Sequence, residues 1–180
     1  MIIAIDPGLN FCGISILDFN EKFCIHRTIL INNNRKLTQE EKEISEKYDT
    51  RVIKVQEIVR TIISLIEQYN PDSIAIEGPF YSGLRPQAYS ALLEIITAVK
   101  YLVAVPNGLP MHIIEPLLVK KTFSHFHMST KDDMKAALKK KMQNDEIFVA
   151  QGIDIEQLSE HEIDSIAVGF SFLTLIQSRS

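Results

Sequence analysis

Two short apolar runs each end in a carboxylate: Ile2-Ile3-Ala4-Ile5-Asp6, followed by Pro7-Gly8, and Ser73-Ile74-Ala75-Ile76-Glu77, followed by Gly78-Pro79. Runs of this kind make strands buried on both faces, so the acid at the C-terminal end sits where sheet gives way to solvent. A further acidic stretch lies in Glu160-His161-Glu162-Ile163-Asp164, where His161 and Asp164 are three apart and share one helical face. Carboxylates brought together repel one another, and a cation relieves that repulsion. Hard oxygen ligands select Mg²⁺ or Mn²⁺. Asp6, Glu77, His161 and Asp164 together suit a two-metal site for in-line attack of water on a phosphodiester. Each segment also has a plainer reading, because Asp-Pro-Gly is a common turn string and a His and an Asp at a helix start can serve the helix dipole. Three separate segments delivering ligands to one place favour the metal site.

The elements that must position these residues follow from periodicity. Phe11 to Phe19 and Lys22 to Ile31 read as two strands that join the first in an antiparallel meander. From Thr38 the period changes: Ile44, Tyr48, Val52, Val55, Val59, Ile62 and Ile66 step by three and four, which predicts one long amphipathic helix ending near Asn70-Pro71. This helix carries core rather than chemistry. After the strand to Glu77 and the loop 78–85, a second helix is expected from Pro86 to about Val105, then a strand from Met111 to Glu115. Pro116 opens a short helical turn through Lys121, a loop with His125 and His127 follows, and Ser129 or Thr130 caps a helix from Lys131 to about Met142. The last helix begins near Leu158. Three meander strands followed by helix, strand, helix, strand and further helices is an α/β order with a mixed five-stranded sheet. It suggests the ribonuclease H-like architecture, with the first and fourth strands side by side and parallel. No repeat or linker interrupts the chain, so residues 1–180 read as one domain.

A composition 46% hydrophobic and 23% charged argues for a globular chain rather than disorder. The apolar runs fall short of a bilayer span and the N-terminus lacks a basic leader, so a cytoplasmic protein with no membrane partner is expected. Cys12 and Cys24 lack metal-ligand spacing and read as buried free thiols outside the mechanism. The net charge of −4 speaks against a nucleic-acid partner, but its distribution is uneven. Residues 116–142 hold seven lysines against two aspartates, and 143–164 hold seven acids and no Lys or Arg. That polarity fits a basic groove beside an acidic pocket, although a charge run is more often a solvated face. Lys135, Lys139 and Lys140 meet backbone phosphate on the first reading and water on the second. For His125 and His127 a loop role is favoured, since nothing completes a zinc set.

Ile5-Asp6-Pro7-Gly8, Ala75-Ile76-Glu77 with Phe80 three residues on, Val119-Lys120-Lys121, Ser129-Thr130-Lys131 and His161-x-x-Asp164-Ser165-Ile166-Ala167 occur in one order and spacing. In these motifs, from Met1 to about Phe170, the chain resembles the RuvC family of Holliday-junction resolvases. The Ile-, Lys- and Asn-rich composition fits a divergent member from a virus or a low-GC bacterium, acting in the bacterial or host-cell cytoplasm. The resemblance implies a homodimeric, Mg²⁺-dependent endonuclease with two ions per site, which cuts four-way DNA junctions symmetrically and leaves 5′-phosphate ends. It implies that Asp6, Glu77, His161 and Asp164 form the metal-binding set and that Lys120 and Lys131 support catalysis. It also implies that Phe80 stacks on junction bases; Tyr81, Arg85, Lys121, Lys135 and Lys139 are counted beside it as candidate DNA contacts from their place in the sequence. Gly78-Pro79, the two histidines before Ser129 and the negative net charge depart from the family pattern. The alternatives are an actin- or sugar-kinase-like ATP-binding protein, whose first strand also enters an Asp-x-Gly turn, and an inactive junction-binding protein.

Overall fold

A computed structural model describes residues 1–19, 23–80, 86–124 and 130–177. The chain opens with strands β1 (Ile2–Asp6), β2 (Phe11–Phe19) and β3 (Phe23–Asn32), the expected meander. Helices α1 (Gln39–Tyr48) and α2 (Thr50–Tyr69) follow, then β4 (Ser73–Glu77) and helix α3 (Pro86–Ala98). Next come β5 (Met111–Ile114), α4 (Pro116–Ser124), α5 (Lys131–Gln143), β6 (Ile147–Val149) and α6 (Glu160–Gln177).

The strands form one mixed sheet in the order β5-β4-β1-β2-β3-β6. β1 and β4 are parallel neighbours, with Ile2 opposite Ser73 and Ile5 opposite Ile76. The sheet therefore has six strands where five were expected. The sixth is three residues long, pairs parallel to β3, and is too short to show a period in sequence.

Helices cover both faces, which is why β1 is apolar from Ile2 to Ile5. Ile3 and Ile5 pack with Ile58 and Ile62 of α2 and Ile95 of α3, and Ile2 and Ala4 pack with Ile166, Ala167 and Phe172 of α6. Full burial of an isoleucine such as Ile58 or Ile62 contributes about 1.5–3 kcal/mol. The predicted long helix after Thr38 is two helices. Asp49 takes a positive φ of 81° between them, its amide donating to the Ser45 carbonyl to close α1 and its carboxylate accepting from the Arg51 amide to open α2. The periodicity ran through the break because Ile44 and Tyr48 keep the helical step, but α1 buries no residue and only α2 carries core. The helix from Pro86 also changes character, closing in a π-helical stretch, Val99–Ala104, that buries Val99, Val103 and Ala104.

Candidate active site

The parallel pairing of β1 with β4 sets Asp6 and Glu77 at the same edge of the sheet, on adjacent strand ends. α6 crosses this edge with its first turn against β2. The approach is close enough that a Cβ on Gly13 would lie 1.8 Å from the His161 carbonyl oxygen, so only glycine fits there. Further along, a Cβ on Gly169 would lie 2.1 Å from Leu17 Cδ1 and 2.9 Å from Ala4 Cβ. Between these points the buried hydroxyls of Ser15 and Ser165 meet at 2.6 Å.

The helix start is itself fixed. Glu162 accepts from the Ser159 amide at 3.0 Å, and the Glu162 amide donates back to Ser159 Oγ at 3.3 Å, a reciprocal cap. Glu162 is thereby used in the cap. The ring of Phe11 stacks on that of His161, centroids 5.7 Å apart and planes 12° from parallel. Held in this way, His161 donates from Nδ1 to Asp6 Oδ2 at 2.7 Å.

The electrostatics of the set are those of a site short of positive charge. Burial pushes Glu77 up to about 8, helped by the charges of Asp6 and Asp164 and opposed by Lys120. Burial likewise pushes Asp164 up to about 7, again helped by Asp6 and opposed by His161 and Lys120. Asp6 is raised by burial in spite of its hydrogen bond to His161, while that same bond raises His161 against the effect of burial. The two partners move in the same direction because burial of Asp6 outweighs its pairing. One buried and two half-buried carboxylates are hard oxygen donors whose charged forms a cation stabilises, and the imidazole adds a borderline donor, so the residues fit a divalent ion. No three of them bring ligand atoms within 4.8 Å of one another; among the described residues, that closeness occurs at Asp18, Cys24 and His26.

A cleft of about 330 Å³ opens beside the acids, lined among others by Glu77, Asp164, Lys120, Met134 and Phe80. Lys120, on α4, is thus brought to the acids, and Phe80 stands at the rim, 62% exposed. Lys121 is exposed on α4, and Lys131 is the first residue of α5, which Thr130 and Asp133 cap reciprocally. Gly78 continues the ladder beyond Glu77, its amide donating to the Ile114 carbonyl at 2.8 Å. Lys135 and Lys139 are brought to Glu156 instead, Lys135 donating to its carbonyl at 2.8 Å and Lys139 pairing with its carboxylate at 2.5 Å. Tyr81, Arg85, His125 and His127 lie outside the described residues.

Sequence reasoning missed the residues that hold the set: Phe11, Gly13, Ser15, Ser165 and the Ser159–Glu162 cap. Ser-x-x-Glu before an apolar helix and a glycine inside a strand were the available signals. It also took Cys24 for a buried thiol. Cys12 is buried, but Cys24 is only half-buried.

The family described as "Crossover junction endodeoxyribonuclease RuvC" matches residues 2–168. A protein of that name from Corynebacterium diphtheriae is 30% identical over 138 residues, covering 76% of each chain. Another from Cytophaga hutchinsonii is 28% identical over 142 residues, covering 78% of this chain and 64% of that one. Among solved structures, Thermus thermophilus RuvC in complex with a Holliday junction substrate superposes with a TM-score of 0.70 at 14% identity, covering 99% of this chain and 95% of that one. That likeness establishes the ribonuclease H-like fold.

Proposed function

The chain belongs to the RuvC family of crossover junction endodeoxyribonucleases, which depend on divalent metal, and from this premise we propose that it resolves four-way DNA junctions by hydrolysing phosphodiesters. The observation that carries the reading is the meeting of Asp6 and Glu77 on adjacent parallel strand ends with His161 hydrogen-bonded to Asp6. On this reading Asp6, Glu77, His161 and Asp164 hold two Mg²⁺ ions, for which Mn²⁺ substitutes. Such ions supply Lewis-acid polarisation of the phosphodiester and activation of the attacking water.

The chain's own residues do the rest. Burial and mutual repulsion raise Glu77 to about 8 and Asp164 to about 7, so a bound cation would favour their ionised forms and release the protons they carry. Asp6 accepts the Nδ1 proton of His161, which fixes the imidazole's orientation and leaves Nε2 free of that bond. Lys120, in the same cleft, stabilises negative charge as it builds on the phosphate, and Lys131, the first residue of α5, is assigned the same role. Phe80 stacks on an unpaired base at the junction centre, an interaction worth about 1–3 kcal/mol and indifferent to sequence. Tyr81, Arg85, Lys121, Lys135 and Lys139 belong to the DNA-contacting surface. Two copies place two such sites on one junction, so a homodimer makes symmetric nicks with 5′-phosphate ends.

Residues 1–180 are read as one nuclease domain, supported by a single sheet whose strands run from Ile2 to Val149. Among the described residues no helix is long and apolar enough to cross a membrane, and the protein is taken to act in the cytoplasm where its DNA is. The kinase-like alternative falls with the family assignment. Cleavage of four-way, three-way and linear DNA side by side, with Mg²⁺ or Mn²⁺, tests reaction, metal and substrate together. Paired nicks in the four-way junction are expected. Binding without nicking would revive the inactive junction-binding alternative, and equal cutting of linear DNA would remove the junction from the account.

A further inference from the structure

Away from the acidic set, the end of the β2–β3 pair where Phe19 faces Phe23 gathers three side chains that the nuclease reading does not use. Asp18 and Cys24 are directly opposite one another across the two strands. Alternation sends Leu17, Phe23 and Ile25 into the core beneath α6, and so gives Asp18, Cys24 and His26 to the other face of the sheet. A bulge completes the set: Leu17 pairs with Ile25 and Ile16 with Arg27, which leaves His26 without a cross-strand partner. Its ring reaches Asp18, Nε2 to Oδ2 at 2.9 Å. One ligand atom from each of Asp18, Cys24 and His26 lies within 4.8 Å of the other two.

We propose that Asp18, Cys24 and His26 form a second metal site, distinct from the acidic set and selective for a borderline-soft divalent cation of the Zn²⁺ class. The donor set decides the class. A thiolate and an imidazole beside one carboxylate suit Zn²⁺ or Co²⁺ and are poor ligands for Mg²⁺. Tetrahedral zinc holds its ligand atoms roughly 3.3–3.7 Å apart, so small side-chain rotations bring these three to bonding distance. They supply three ligands, and half-burial leaves a fourth position to water. On binding, Cys24 loses its thiol proton to solvent and Asp18 exchanges its contact with His26 for the ion. Without metal the thiol stays protonated, since burial and the charge of Asp18 both raise it. A cation here ties together the two strands that lead into and out of the hairpin end. β2 also carries Phe11 and Gly13, which support His161, so the site braces an element on which the first one depends.

Titration of the protein with Co²⁺, under reducing and chelator-free conditions and with excess Mg²⁺ to occupy the acidic set, tests this directly. The expected result is a near-ultraviolet thiolate-to-cobalt charge-transfer band that saturates at one equivalent and is displaced by Zn²⁺. Cys24→Ser should abolish the band, His26→Ala should weaken binding at least about 100-fold, and Cys12→Ala should leave both unchanged. With the acidic set saturated by Mg²⁺, Zn²⁺ should raise the melting temperature of the wild type more than that of C24S, whose melt without Zn²⁺ should match the wild type. Asp18→Asn serves in place of C24S if that variant does not fold. Absence of the band, its survival in C24S, its loss in Cys12→Ala, or unaltered binding by His26→Ala overturns the proposal.

Discussion

At the scale of single residues, the acids explain one another. Glu77 and Asp164 titrate high because they are half-buried beside Asp6 with too little positive charge nearby. The folded chain then holds protons that the unfolded chain releases at about 4.5 and 3.8, so the folded state binds more protons through the window up to about 8. Stability without metal must therefore fall as pH rises from about 5 to 8. The raised His161 acts in the same sense, its contribution being lost as pH climbs through its folded value. Thermal melts in chelator across this range should show a declining midpoint that added Mg²⁺ restores, and Glu77→Gln should flatten the decline. A midpoint in chelator that climbs with pH would mean the acids are compensated in some other way.

At the scale of elements, the site depends on how closely α6 lies on β1 and β2. Gly13→Ala places a methyl group inside van der Waals contact of the α6 backbone at His161. Overpacking of this kind costs about 1–3 kcal/mol. Because the displaced turn carries both His161 and Asp164, cleavage should fall by about 10²-fold while the far-ultraviolet spectrum is kept. Wild-type cleavage by this variant would show that the contact does not position the set. Much of this architecture was legible in the chain. Asp6 and Glu77 stood out because each closes an apolar run, and His161 and Asp164 because three-residue spacing puts them on one helical face. The parallel neighbourhood of β1 and β4 followed from the order of elements. What stayed hidden is what a one-dimensional period cannot carry. The break at Asp49 keeps the helical step on both sides, β6 is only three residues long, and the meeting of Ser15 with Ser165 links residues 150 positions apart. The pairing of Lys135 and Lys139 with Glu156 was invisible for the same reason. The charge run was read as groove or solvated face, and the structure shows ion pairs within the protein.

At the scale of the whole molecule, an acidic chain must still hold a polyanion, and its net charge of −4 makes local charge decisive. Surface ion pairs such as those at Glu156 are worth little, about 0–1 kcal/mol, so Lys135 and Lys139 remain available to phosphate at small cost. If both reach DNA, the K135A/K139A protein should bind junctions with a salt dependence shallower by about 1.8 in slope, about 0.9 for each phosphate contact. An unchanged slope would confine the two lysines to their partner Glu156. Asp6, buried, paired with His161 and adjacent to Glu77, is the centre of the site. The most direct measurement of that claim compares Asp6→Asn with the wild type for junction binding and for cleavage in Mg²⁺. Loss of cleavage with binding retained is the predicted result, and cleavage that survives the substitution would contradict it.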